Sequence, residues 1–212
     1  MIKRIFGITV ILCLAAGFGF AQDISDLTFE SGNWLIRNNR LYQLDQREAI
    51  AKASFPFEQE GIVDYRFNVR FEGGVEDGHI GFGIHVFVDE PADWRSWGEG
   101  ESWLLWFNFD SDPSAPNVPT GFSFQLYKST NNLTMEIVES ADLSEYTAIL
   151  PLDSPMTTIP MHIRVNGDTG EVRIYNPQNP ALYWPLELPI EAPISGDYVT
   201  LRTNSMAISW GQ

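Results

Sequence analysis

Cysteine is almost absent from this chain. Cys13 is the single one in 212 residues and sits inside an apolar amino-terminal run, so no internal disulfide can form and the rest of the chain has no thiolate for catalysis or metal binding. Histidine is scarce as well. His79, His85 and His162 are the only three, none belongs to a His-Glu-x-x-His helix, and a zinc site is not expected. There is no Gly-x-Ser-x-Gly elbow and no phosphate-cradling glycine loop. Past the amino terminus, no apolar run approaches the roughly 20 residues that a helix needs to cross a bilayer. Positive charge is the last shortage, with 13 basic residues against 28 acidic ones.

What is present begins with Lys3 and Arg4, then an apolar run from Ile5 to Phe20, closed by the small residues of Gly19-Phe-Ala21. Residues 1–21 read as a secretory signal peptide, so export is expected, to the periplasm or the exterior, with a mature start near Gln22 or Asp23. Leu12, ahead of Cys13, lacks the small side chain of a lipoprotein signal. The remaining 191 residues, 22–212, fit one all-β domain. They hold 11 basic and 28 acidic residues, a net charge of −17, which repels nucleic acid and anionic lipid. No membrane insertion is expected after cleavage.

The strand signal is strong. Val63 to Phe71 alternates without a break, with Val63, Tyr65, Phe67, Val69 and Phe71 on one side and Asp64, Arg66, Asn68 and Arg70 on the other, a pattern that no helix produces. Three further strands follow. His79 to Val88 sets Ile80, Phe82, Ile84, Val86 and Val88 against His79, Gly81, Gly83, His85 and Phe87, and the two glycines leave a bare patch. Trp103 to Asp110 sets Trp103, Leu105, Phe107 and Phe109 against Leu104, Trp106, Asn108 and Asp110. Phe122 to Tyr127 sets Phe122, Phe124 and Leu126 against Ser123, Gln125 and Tyr127. Met161–Val165 and Glu171–Tyr175 form a hairpin about the Asn166–Gly170 turn. The five prolines between Pro177 and Pro193 exclude a central strand and predict a covering loop with Tyr183 and Trp184. In Leu133 to Val138, Glu136 shares a side with Thr134 and Val138, and a short helix over Ala141 to Glu145 is one option for the looser stretch after it.

When the apolar rows meet in a core, the opposite face presents His85, Trp106, Asn108, Asp110, Gln125 and Tyr127 together. Aromatic planes mixed with amides and a carboxylate suit a sugar, whose C–H faces stack and whose hydroxyls need donors and acceptors. Trp94 and Trp97, in the acidic loop from Asp89 to Ser102, are either a rim for that face or anchors folded onto the sheet. The same aromatic face can instead serve a protein partner, so a structural or assembly component of a bacterial envelope is the alternative to carbohydrate recognition. Asp110 and Glu136 are the one carboxylate pair that the pattern allows on a single face for glycoside hydrolysis, which needs two acids about 5 Å apart when the configuration is retained. Asp89, Asp93 and Asp112, with Glu90 and Asp110, are the oxygen-rich candidates for calcium.

Gly32-Asn-Trp34 followed by Asn39-Arg-Leu-Tyr-Gln43, the Asp64-Tyr-Arg-Phe67 strand, the Gly81-Phe-Gly83 strand, the Ile163-Arg-Val-Asn-Gly167 hairpin and the closing Gly196-Asp-Tyr-Val-Thr-Leu-Arg202 resemble the concanavalin A-like lectin and glucanase superfamily, laminin-G-like branches included. The resemblance covers nearly the whole chain after residue 21. It implies an all-β jelly roll of two antiparallel sheets, one of them concave, with ligand met on the concave sheet or its rim and calcium near the sheet edge. The glucanases of that superfamily carry a Glu-x-Asp-x-x-Glu strand, and no such run occurs in this sequence.

Overall fold

The computed structural model describes residues 16–18, 26–74, 80–144 and 157–211. They form two packed antiparallel sheets, and no α-helix occurs among them. In chain order the strands are β1 (Ala16–Phe18), β2 (Thr28–Ser31), β3 (Trp34–Arg37), β4 (Arg40–Gln43), β5 (Ala51–Glu60), β6 (Ile62–Gly74), β7 (Ile80–Val88) and β8 (Ser102–Asp110). They continue as β9 (Gly121–Ser129), β10 (Met135–Asp142), β11 (Thr158–Asn166), β12 (Glu171–Asn176), β13 (Asn179–Glu187), β14 (Ser195–Asn204) and β15 (Met206–Gly211). One sheet runs β13-β12-β11-β6-β15-β4-β3, the other β10-β9-β8-β7-β14-β5-β2. β1, within the expected signal segment, lies parallel to Val63–Tyr65 of β6 and is off the path of both seven-stranded orders. His79 and most of residues 1–21 lie outside the described residues.

The turns follow from local chemistry. Asn38 and Asn39 both adopt positive φ, 49° and 58°, as a two-residue hairpin turn requires and as asparagine tolerates. Gly61, at φ 62°, is the single residue between β5 and β6 and carries the chain from one sheet to the other. The core lies between the apolar rows that alternation predicts. Tyr65, Phe67, Phe82, Ile84, Phe107, Phe124, Ile163 and Ile174 all belong to it. Its aromatic centre is a stack of Phe82 on Phe107 with ring centroids 4.9 Å apart, against which Phe124 packs edge-on at 5.0 Å.

Three expectations change. The proline-rich segment is a strand, β13, and not a covering loop. Among the described residues it pairs with β12 alone, at the sheet edge, where proline is tolerated. Ala141 and Asp142 finish β10 and start no helix; Glu145 lies outside the described residues. Phe87 leaves the row of His85 and is buried in the core. The β7–β14 register slips between Thr200↔His85 and Tyr198↔Val88, Phe87 takes φ 54°, and its N–H donates to Gln59 Oε1 at 2.8 Å. Such a bulge re-aims one side chain. Gly196 makes room for it, since a Cβ there would stand 2.3 Å from the Phe87 backbone.

Candidate functional site

The outer face of the β7–β8–β9–β14 sheet is built in rows by cross-strand pairing. Lys52, Arg202, Gly83, Trp106 and Gln125 lie side by side on β5, β14, β7, β8 and β9, and Ser54, Thr200, His85, Leu104 and Tyr127 form the next row. The bare glycine patch is filled from the same face. The Trp106 indole lies over Gly81, where a Cβ would meet its ring at 2.4 Å, and at Gly83 a Cβ would stand 2.2 Å from the Leu105 carbonyl oxygen. Only glycine at position 81 lets the indole lie down on the strand, and only glycine at position 83 lets the β8 backbone come so close. Trp106 is 4% exposed, and its Nε1–H donates to Asn108 Oδ1 at 3.1 Å.

Trp106 floors a cleft of about 470 Å³. Asn108, Asp110, Gln125 and Tyr127 line it beside the indole, Trp97 forms part of one wall, and Pro113, Ser114, Ala115 and Val118 of the β8–β9 loop form another. The Tyr127 hydroxyl donates to Gln125 Oε1 and burial raises its pKa. Sequence reasoning missed Arg202, Asn204 and Met135, which line the same space. The Arg202 guanidinium sits 4.7 Å from the Trp97 ring and 5.6 Å from that of Trp106, and it donates to the Trp97 carbonyl at 2.5 Å. Burial lowers its pKa to about 10, so it stays charged at neutral pH. The alternation of Tyr198 to Arg202 marks Arg202 as off the core side, but only the β14–β7 pairing brings it to Trp106.

Other predicted residues are placed elsewhere. His85 is fully buried beneath the face and does not line the cleft; its Nδ1 is 3.1 Å from Ser102 Oγ. Burial, then the charges of Lys52 and Arg202, push its pKa well below the usual histidine value. Trp94 is exposed and stands outside the cleft lining. Asp110 and Glu136 are on opposite faces. Glu136 pairs with Lys128 and Lys128 with Trp103, a core residue, whereas Met135 lines the cleft. Asp110 pairs with Gly121, seven residues along β9 from Lys128, roughly 23 Å at the rise of a strand. The alternation at the start of β10 is opposite to the expected one because Met135 faces the cleft and not the core; past the register shift after Ile137, Ala141 packs against the core. Asp89 and Asp93 share a depression with Glu90 and Glu101 at one end of β8, while Asp112 lies past its other end and donates its N–H to Asp110. Among the described residues no three acidic or histidine side chains converge to hold an ion.

Beside the cleft is a buried charge cluster that no sequence pattern announced. Lys52 and Glu99 are both fully buried and form an ion pair. The ammonium also donates to Ser96 Oγ at 2.7 Å and to the Gly98 carbonyl at 2.6 Å. Burial lowers the Lys52 pKa against the opposing pull of Glu99. Glu99 Oε1 accepts from Ala92 N at 2.9 Å and Thr200 Oγ1 at 3.3 Å, so one carboxylate fastens the 89–101 loop to β5 and β14. Glu30 stands next to it and accepts a hydrogen bond from Ser54. Burial, then the charge of Glu99, push Glu30 up from 4.5 to about 8.

That shift sets a pH dependence. Between pH 4.5 and about 8 the folded protein keeps a proton that the unfolded chain releases, so this carboxyl makes stability fall as pH rises. His85 acts with the opposite sign below pH 6.5, where the unfolded chain gains a proton that the buried ring refuses. Comparing thermal melts of the parent and Glu30→Gln over this range separates the two. The variant should lose the decline between pH 4.5 and 8, and an unchanged slope would remove Glu30 as its source.

No protein-family model matches the chain, and no curated protein matches it in sequence. Solved structures do match in fold. The chain is similar to the carbohydrate-binding module CBM66 from Bacillus subtilis, with a TM-score of 0.54, 10% identity, and coverage of 88% of this chain and 92% of that one. It is also similar to the CBM2 module of the evolved Dit of Lactobacillus casei BL23 phage J-1, with a TM-score of 0.56, 12% identity and coverage of 91% and 90%. Peanut lectin matches with a TM-score of 0.52, 11% identity and coverage of 91% and 92%. The likeness is one of fold: like these structures, the chain is a two-sheet antiparallel β-sandwich.

Proposed function

We propose that the protein is an exported, non-catalytic module that binds glycans in the cleft floored by Trp106. The observation that carries this reading is the cleft itself. A volume of about 470 Å³ accommodates a short saccharide, Trp97 offers an indole that is 45% exposed, and Asn108, Asp110, Gln125 and Asn204 supply donors and acceptors for hydroxyls. A walled cleft with ordered aromatics fits a sugar better than the flat patch that an envelope-protein interface would need. The fold neighbours are named as carbohydrate-binding modules and a lectin, which supports the same reading. Lys3, Arg4 and the apolar run to Phe20 support export.

The test is a glycan array of the mature protein, with and without calcium, followed by titration of the best ligand into Trp97→Ala. Loss of one stacking surface should weaken binding about tenfold, near the upper range of aromatic contacts. The melting temperature should barely move, because Trp97 is half exposed. Failure to bind any glycan, or unaltered affinity in the variant, would overturn the reading.

A further inference from the structure

Arg202 brings a positive charge to the Trp106 cleft with no carboxylate to meet it. The side chain is 1% exposed and lines the cleft, and it forms no ion pair among the described residues. Glu99, the one carboxylate whose charge raises its pKa, is committed to Lys52. Asp110 is the other acid in the lining, but it is four residues along β8 from Trp106, which shares the row of Arg202. That places it about 13 Å away at the rise of a strand. A buried charge is ordinarily paired, so the guanidinium end of this cleft suits an anion.

The hydrogen bonds around it have the same polarity. Arg202 Nε donates to Asn204 Oδ1 at 3.1 Å and Nη1 to the Trp97 carbonyl at 2.5 Å, while Nη2 has no partner among the described residues. Trp106 Nε1 donates to Asn108 Oδ1 at 3.1 Å. A guanidinium and an indole can only donate, so both asparagines are fixed with the oxygen inward and the amide nitrogen unspent. These three nitrogens have no protein acceptor, and none is sealed from the cleft. Gln125 is different, because its Oε1 accepts from Tyr127 and its Nε2 donates to Ser123 Oγ. Asn204 and Asn108 flank Gly81 in one row, next to the row of Arg202 and Trp106. The floor therefore gathers N–H donors around one positive charge. A hydroxyl both donates and accepts, whereas an ionised carboxylate only accepts.

We propose that the glycan taken by this cleft is acidic, with the carboxylate of a uronic acid residue on Arg202 and the Asn204 amide nitrogen, and with Asn108 donating to a neighbouring ring oxygen. Hydrogen bonds between charged groups are about twice as strong as neutral ones, and burial of Arg202 keeps water from competing for them. Asp110, at the far end, accepts from sugar hydroxyls. The inference rests on glycan binding in the cleft and adds the class of glycan.

An array in which each oligosaccharide bearing a uronic acid is printed beside its carboxyl-reduced, neutral counterpart tests it, followed by calorimetry on the tightest-binding pair. The acid should bind at least tenfold more tightly than its reduced form. Asn204→Asp sets a carboxylate against Arg202 at the volume of the amide and should erase that preference without lowering the melting temperature. Arg202→Gln should erase it too, but it also gives up the bond to the Trp97 carbonyl, so the asparagine variant is the cleaner one. Reduced forms that bind as well as the acids, or an acid preference that survives Asn204→Asp, would overturn this inference and leave glycan binding in the cleft standing. No binding of either form would remove the reading beneath it as well.

Discussion

Replacing Glu99 with alanine should lower the melting temperature by on the order of 10 °C and release the 89–101 loop. The substitution leaves the Lys52 ammonium fully buried without its counter-ion and strips Ala92 N and Thr200 Oγ1 of their acceptor. Breaking one side of a buried ion pair costs about 3–5 kcal/mol, because the partner charge stays desolvated. For a domain of this size each kcal/mol is worth about 2–4 °C. The double variant Lys52→Met/Glu99→Leu removes both charges at similar volume and should recover most of the loss. Differential scanning calorimetry on the single and double variants checks the pair, and limited proteolysis checks the loop. Cleavage between Asp89 and Glu101 should speed up in Glu99→Ala, and glycan binding should fall with it, since Trp97 rides on that loop. A single variant that melts within about 2 °C of the parent would show that the pair does not clamp the loop.

Trp106→Ala should be as costly to stability, about 3–5 kcal/mol, the range for removing a buried tryptophan. The ring is 4% exposed, lies over Gly81, and faces the Arg202 guanidinium at 5.6 Å. Its removal opens a void over Gly81, which has no side chain to fill it, and Arg202 loses one of its two aromatic neighbours. Binding in the cleft should be lost with the floor, so this variant alone does not separate fold from recognition. Trp97→Ala does, because the same face there is half exposed. A Trp106→Ala protein with an unchanged melting curve would contradict the packing of the indole on β7.

The all-β class, the strand positions and the inward rows from Val63 to Phe71 and Phe122 to Leu126 were legible because strand periodicity is local. Each side chain declares its face by its neighbours two residues away. For the same reason Trp106, Asn108, Gln125 and Tyr127 could be grouped on one outward face before any pairing was known. The grouping carried no information on depth. His85 belongs to that face by alternation, yet it is sealed under it, and Trp106 is a floor and not an open platform, because two loops fold over a face that periodicity treats as exterior. The start of β10 was read inside out, since an apolar row points to whatever covers it, and at Met135 that is the cleft.

Long-range pairing decided the remainder. Arg202 meets Trp97 across 105 residues and Trp106 by strand order, and Lys52 meets Glu99 across 47. Asp64 meets Arg164 across 100. None of these has a spacing signal, because a charge is buried only when the topology delivers its counter-charge, and topology is set by which strands become neighbours. The sequence by itself determined the class of fold, the core rows and the chemical character of one face. Only the tertiary structure decided which polar groups are sealed as clamps and which are left open as a cleft, because burial depends on which strands and loops become neighbours.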